Sequence, residues 1–306
     1  MDNNDVLERL RAAKEKAKSK KSDTSNVVIY SEFKNCPLCK GTLQLEDGSS
    51  CKCRKKLIIN NLMKECGVPP AYYNVNYEFY EDMLSDAEVR TKKGLKLKTA
   101  RKVYDISYLT NYIKLYAETF ENRLNDGRGF ILSGNCGGSK TGTSILLIKD
   151  LIKKHYSRSF NNDVNDRKYS FHFIEANELL DTIKDTWDNE SETRFTSKEI
   201  LSKIKICDLL VIDDIGAEYS KNDEWLINIF LKLLKGRKSH NKPTIITTNY
   251  SPEQLVEWFS EEMFPRLSSV LTESMEVIII DNAEDVRDRI AESRSLVDDM
   301  RKEIGD

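Results

Sequence analysis

The feature that most constrains the fold is the stretch running from residue 129 to residue 155. The short apolar run GFILSG leads into the glycine turn NCGGSK, and that turn opens the helical pattern TSILLIKDLIKKHY. The same alternation continues down the chain. SFHFIEA (170–176) precedes NELLDTIKDTW, DLLVIDDIG (208–216) precedes DEWLINIFLKLLKGRK, and KPTIITTN (242–249) precedes SPEQLVEWF and EEMFPRLSSV. MEVIIID (275–281) is the last apolar run, and the polar pattern AEDVRDRIAESRSLVDDMRKEI closes the chain. Apolar strands alternating with helices of this length predict an α/β fold, a five-stranded parallel sheet covered by helices on both faces.

The turn after the first strand comes close to a phosphate-binding loop, which requires Gly, four residues, then Gly-Lys-Ser/Thr. Gly134 opens it and Lys140 and Thr141 close it, but Ser139 stands where the second glycine belongs. Between strand and helix, the backbone N–H groups of Gly134, Asn135, Cys136, Gly137, Gly138 and Ser139 are candidates to face phosphate oxygens, favoured by the helix dipole. Lys140 would reach the β- and γ-phosphates and the Thr141 hydroxyl would ligate Mg²⁺. A side chain at residue 139 costs about 1–2 kcal/mol if the position needs a left-handed conformation. The alternative is a plain glycine turn joining strand to helix.

Acidic residues meet this loop at another strand end. VIDDIG places Asp213 and Asp214 at the C-terminal end of an apolar strand, where open α/β sheets put their ligands. Asp213 is a candidate Mg²⁺ ligand and Asp214 a candidate to polarise an attacking water; a helix-capping pair is the other reading. Asn249 ends the fourth strand, as a neighbour of the γ-phosphate or as a turn former. Arg266, in MFPRL, is a surface arginine or one that a neighbouring subunit presents to the phosphates.

GNCGGSKT, LLVIDDIG, PTIITTN and MFPRL, in this order, resemble the AAA+ ATPases of the DnaC/DnaI helicase-loader and IstB group, over roughly residues 128–290. The resemblance implies Walker A at Lys140 and Thr141, Walker B at Asp213 and Asp214, sensor 1 at Asn249, a trans-acting finger at Arg266 and sensor 2 at Arg287. It further implies ATP and Mg²⁺ as cofactors and an oligomer that assembles with ATP. Ser139 departs from the group's pattern and bears on the rate of hydrolysis.

Ahead of the ATPase lies CPLCKGTLQLEDGSSCKC (36–53). Cys36 and Cys39, with Cys51 and Cys53, make two close pairs able to surround one tetrahedral Zn²⁺, the other reading being unliganded thiols. Clustering of this kind reads as metal before disulfide in a reducing compartment. Cys66, Cys136 and Cys207 lack pairing spacing and read as small packing residues. Lys52, Arg54, Lys55 and Lys56 beside the module, and Lys92, Lys93, Lys96 and Lys98 further on, either contact nucleic-acid phosphates or form a solvated face.

The chain of 306 residues divides into a charged N-terminal tail (1–27), either solvated and flexible or a short helix that orders against a partner, the zinc module (28–60), a linker with a helical stretch (61–125) and the AAA+ domain (126–306). A net charge of −2 argues against wholesale coating of nucleic acid. No apolar run has membrane-span length and the N-terminus lacks a signal-peptide core, so the expected location is the cytoplasm of a bacterial or phage-infected cell, away from membranes. The resulting expectation is an ATP-dependent loader that places a DnaB-type replicative helicase hexamer on single-stranded DNA. An IstB-type transposition helper and an AAA+ binding protein with little turnover are the alternatives.

Overall fold

The computed structural model describes residues 30–85, 87–93, 103–137, 139–155, 168–187, 194–216, 224–258 and 275–281. Residues 1–27, Gly138, Lys96, Lys98, Arg266 and Arg287 lie outside the described residues. The chain splits into two compact units, Met1–Ile58 and Ile59–Asp306.

In the first unit the chain is shaped by turns. The Cys36 amide donates to the Phe33 carbonyl (2.9 Å) and the Lys40 amide to the Cys36 carbonyl (2.9 Å). Lys40, Gly41 and Leu43 all have positive φ, at 46°, 87° and 62°. A small hairpin follows, closed by the Gln44–Ser50 bridge and by an Asp47 carboxylate that accepts from the Ser49 amide at 2.8 Å. Helix α1 (Lys52–Glu65) starts directly after Cys51, with Cys53 in its first turn.

The second unit is built on one sheet. Its strands are β1 (Glu88–Lys93), β2 (Val103–Tyr104), β3 (Gly129–Gly134), β4 (Phe171–Glu175), β5 (Leu209–Ile215), β6 (Thr244–Thr248) and β7 (Met275–Asp281), in the order β2-β1-β7-β3-β6-β5-β4. The five strands expected from the apolar runs are present and pair parallel with one another. The sheet is nonetheless seven-stranded and mixed, because β1 pairs antiparallel with β7 and β2 with β1. Strand β1 is EVRTKK, whose charges read as linker; they suit a strand near a sheet margin, where charge deters pairing with other chains. Arg90 there pairs with Glu88 at 2.7 Å and with Asp281 of β7 at 3.4 Å.

Helices α2 (Tyr77–Met83), α3 (Ile106–Glu118), α4 (Phe120–Asp126), α5 (Lys140–His155), α6 (Ala176–Trp187), α7 (Arg194–Ile206), α8 (Glu224–Ser239) and α9 (Pro252–Trp258) complete this unit among the described residues. Strand β3 is buried along its whole length, and so is β6. Strands with no polar face are what a sheet covered on both sides requires. Leu179, Ile183, Ile204, Leu231 and Leu234 of the covering helices join Ile131, Ile212 and Ile246 of the strands in one cluster. Arg237 of α8 is buried with them, its guanidinium donating to the carbonyls of Ile204 (2.6 Å), Cys207 (3.0 Å) and Pro243 (2.8 Å). That guanidinium ties the end of α7 to the start of β6 and satisfies carbonyls that burial would otherwise leave bare. Among the described residues no helix is long and apolar enough to cross a membrane.

Candidate functional site

The C-terminal ends of β3, β5 and β6 meet at one edge of the parallel sheet. Gly134 closes β3 at φ 152°, and a Cβ there would stand 2.2 Å from the Ile280 carbonyl oxygen of β7, so only glycine fits the turn. Gly137 (φ 78°) and Ser139 (φ 55°) follow with left-handed backbones. Ser139 therefore occupies the conformation that glycine would hold without strain. Its carbonyl accepts from both the amide and the hydroxyl of Thr143, each at 2.9 Å, which starts α5.

Lys140 is buried at the start of α5, and its ammonium donates to the carbonyls of Gly134 (2.9 Å) and Asn135 (2.7 Å). The cation is folded back over the loop that precedes it. Thr141, one residue on, donates its hydroxyl to Asp213 at 2.8 Å. Asn135 and Cys136 are exposed at the tip of the turn, so Cys136 is not the packing residue that its spacing predicts; Cys66 and Cys207 are buried as expected.

Asp213 and Asp214 are adjacent in a strand, where strict alternation would send them to opposite faces. The β5–β6 pairing shifts register between Ile212 and Ile215, and Asp214 takes a positive φ of 56°. Such irregularities re-aim side chains at a strand end. Asp213 then accepts from Thr141 and from the Thr247 hydroxyl (2.6 Å), while Asp214 accepts from the Asn249 side-chain amide at 2.7 Å. Burial pushes the Asp213 carboxyl up to about 6; the two threonine hydroxyls pull it back, and the charges of Asp214 and Glu175 add to the rise.

The structure thus brings Gly134, Lys140, Thr141, Asp213, Asp214 and Asn249 together. Two further residues belong to the cluster. Thr247 of β6 bridges the acids, donating to Asp213 while its oxygen accepts from the Asp214 amide at 2.8 Å. Its only trace in the sequence is the hydroxyl pair of TTN. Tyr80 of α2 is buried, its hydroxyl filling the space that a Cβ at Gly142 of α5 would take, a contact between distant positions that no local pattern reveals.

The four cysteines of the first unit also converge. The sulfurs of Cys36, Cys39, Cys51 and Cys53 all lie within 4.8 Å of one another, and those of Cys36 and Cys51 are 3.9 Å apart. A tetrahedral zinc with bonds of about 2.3 Å needs sulfurs roughly 3.8 Å apart, so the donor set fits that ion. Backbone N–H groups of Cys39 and Leu38 lower the Cys36 thiol to about 6, whereas burial and the neighbouring thiols raise Cys53 to about 12. Lys52, Arg54, Lys55 and Lys56 are exposed on α1.

Comparison with known proteins adds the identity of relatives. No family model matches the chain. The replicative helicase loader DnaI of Bacillus subtilis (strain 168) is 28% identical over 154 residues, 50% of this chain and 42% of that protein. The replicative helicase loader DnaC of Escherichia coli (strain K12) is 28% identical over 153 residues, 50% of this chain and 54% of that one. The chain is similar to replicative helicase loaders of the DnaC and DnaI type over half of its length. It spans about half the length of the curated loaders it matches. Among solved structures, the DnaC helicase loader is 22% identical with a TM-score of 0.45, over 61% of this chain and 96% of that one. DnaI is 24% identical with a TM-score of 0.44, over 57% of this chain and 84% of that one.

Proposed function

We propose that this loader relative is an ATP-dependent protein that delivers a DnaB-type replicative helicase to single-stranded DNA. The observation that carries the reading is the meeting of Lys140, Thr141, Asp213, Asp214 and Asn249 at one strand-end cluster, joined by the hydrogen bonds Thr141–Asp213 and Asn249–Asp214. A glycine turn, a buried cation and a pair of carboxylates are the parts from which phosphoryl transfer is assembled.

In this reading Lys140 leaves the loop carbonyls to meet the phosphates, and the amides of residues 134–139 cradle them. Thr141 and Asp213, a hydroxyl and a carboxylate 2.8 Å apart, are the oxygen donors for Mg²⁺. Bound magnesium would neutralise charge on the phosphates and hold Asp213 ionised despite its burial. Asp214 orients the attacking water, and Asn249 fixes the Asp214 carboxylate in that duty. Arg266 and Arg287 serve as finger and sensor in an oligomer that assembles with ATP. Cys36, Cys39, Cys51 and Cys53 hold a structural zinc, whose four protein ligands leave no position for catalysis. The module contributes recognition, of the helicase or of DNA through Lys52, Arg54, Lys55 and Lys56.

The test uses the full-length chain. Native protein should release phosphate from ATP and co-elute with a DnaB-type hexamer; Lys140→Ala should lose the turnover. No complex in any nucleotide state would defeat the loader reading. One observation favours a second reading, a nucleotide-binding partner with little hydrolysis: Ser139 holds its left-handed φ of 55° without being glycine. Equal phosphate release from native and Lys140→Ala protein, with nucleotide binding retained by the native chain, would select it.

A further inference from the structure

Three strands end at the candidate nucleotide site, and one row of residues ties them together just beneath it. Ser133 of β3 is aligned with Thr248 of β6, and Thr248 with Ile215 of β5. Each member of the row adjoins a residue of the site: Gly134 follows Ser133, Asn249 follows Thr248, and Asp214 precedes Ile215. Ser133 and Thr248 are fully buried, and hydroxyls in such a place are costly unless they find partners.

Both find them in the turn that carries Asn249. The Ser133 hydroxyl donates to the Tyr250 carbonyl at 2.6 Å. The Thr248 hydroxyl donates to the Ile215 carbonyl at 2.7 Å and accepts from the Tyr250 amide at 3.1 Å. The Tyr250 ring lies against Gly216, where a Cβ would stand 2.3 Å from the ring carbon Cε2 and 2.5 Å from Cδ2. Tyr250 is therefore held from three sides: by β3 through its carbonyl, by β6 through its amide and by the end of β5 through its ring. Asn249 lies between this held residue and the last residue of β6, and its side-chain amide donates to Asp214 at 2.7 Å.

We propose that Ser133 is a positioning residue that sets Asn249 against Asp214. Its hydroxyl fixes the Tyr250 carbonyl, which holds the backbone on the far side of Asn249 and keeps the side-chain amide aimed at the carboxylate. Without that donor the carbonyl must turn toward another partner, and the turn goes with it. Because Ser133 directly precedes Gly134, the strand that opens the glycine loop and the turn that carries Asn249 move as one body. The inference rests on the nucleotide-site reading given above, and adds to it a buried hydroxyl that lies beneath the site.

The experiment is a double-mutant cycle of Ser133→Ala and Asn249→Ala on the full-length chain. It is read by ATP turnover, by titration with a fluorescent ATP analogue in Mg²⁺ and by thermal unfolding without nucleotide. Ser133→Ala should lower kcat roughly three- to tenfold, the scale of one lost hydrogen bond, and change affinity for the analogue by less than about twofold. In the Asn249→Ala background the same change should lower kcat by less than about twofold, because the group it positions is gone. Without nucleotide, the fall in unfolding midpoint caused by Asn249→Ala should shrink to about half or less once Ser133→Ala is in place. Thr248→Val keeps the shape of its side chain and should act as Ser133→Ala does; it decides the question if the serine variant does not fold.

Equal losses of kcat from Ser133→Ala in both backgrounds would overturn the proposal. So would a lower midpoint with turnover untouched, the mark of a merely structural serine. In a native chain that does not turn over ATP, the midpoints decide. Coupling between positions 133 and 249 would then support the positioning role and mark the hydrolysis reading as the part that failed, whereas independent midpoints would overturn both.

Discussion

The two candidate sites of this chain are built in opposite ways. At the glycine loop, the candidate side chains stand at the ends of the buried strands β3 and β6, of the largely buried β5 and at the start of α5, so apolar packing fixes their positions before any ligand arrives. In the cysteine module the described chain is turns and a single bridge, with Phe33, Leu43 and the thiols themselves supplying most of what is buried there. One site has a scaffold and borrows a ligand; the other is a set of ligands in search of a scaffold. A unit this small rarely secures its fold by burial alone.

The largest expected effect follows directly. One zinc per chain should be found by elemental analysis, and its removal by a strong chelator should release the amides of residues 30–53 to hydrogen exchange. Binding energies of about 10 kcal/mol or more are typical of such structural sites. Amides of β3, β5 and β6 should keep their protection. Cys39→Ser should reproduce the effect of the chelator. Unaltered exchange across 30–53 after complete metal removal would mean that the turns hold without zinc, and that the contrast between the sites is wrong.

The second effect concerns the scaffolded site. Asp213 ionises near 3.8 in an unfolded chain, but burial raises it to about 6 in the folded one. Between those values the folded chain keeps a proton that the unfolded chain has lost. The stability this confers is complete below the lower value and disappears as pH rises through the upper one. Asp213→Asn should abolish that slope and make the ligand-free protein more stable at pH 7, by about 2 kcal/mol. Magnesium–nucleotide binding has the opposite sign, because it requires the carboxylate; below pH ~6 it should weaken up to tenfold per unit. Chemical denaturation at pH 4.5, 6 and 7.5, with and without the asparagine, checks both signs.

How much of this was legible in the sequence follows from which forces are local. GFILSG, LLVIDDI, PTIITTN and MEVIIID announce buried strands because each lacks a polar face, and the parallel strands appeared where those runs stand. The cysteine spacing likewise foretold the convergence of the sulfurs. What stayed hidden depends on long-range geometry. Strand β1 is masked by Glu88, Arg90, Lys92 and Lys93, and only its pairing with β7 makes those residues a strand. Helix α7 falls between β4 and β5, beyond the single crossover helix that the alternation called for. The side-chain directions of Asp213 and Asp214 turn on a register shift, and Tyr80 reaches Gly142 across intervening elements, so neither has a local signature.

Thr247 makes a smaller test of the same scaffold. Its hydroxyl serves as donor to Asp213 and acceptor for the Asp214 amide, so Thr247→Val leaves a half-buried N–H and a buried carboxylate oxygen each short of a partner. The shape of the side chain is retained, and the loss should be about 1–3 kcal/mol in unfolding free energy. The Asp213 carboxyl, relieved of a stabilising donor, should titrate higher than in the native chain. A variant with native stability and native pH dependence would show that the bridge between the acids is idle.

The smallest expected effect is at Ser139, and its sign is the informative part. Glycine there would remove the strain of a side chain at φ 55° but would add freedom to the unfolded chain, costs that oppose each other at a scale of about 1 kcal/mol each. The sum should leave Ser139→Gly within about 1 kcal/mol of the native stability. If Ser139→Gly instead stabilises the native chain outright and quickens ATP turnover, the serine is a defect that the loop merely tolerates. The scaffold around it would then be stiff enough to carry such a flaw, as the all-buried strands beneath it imply.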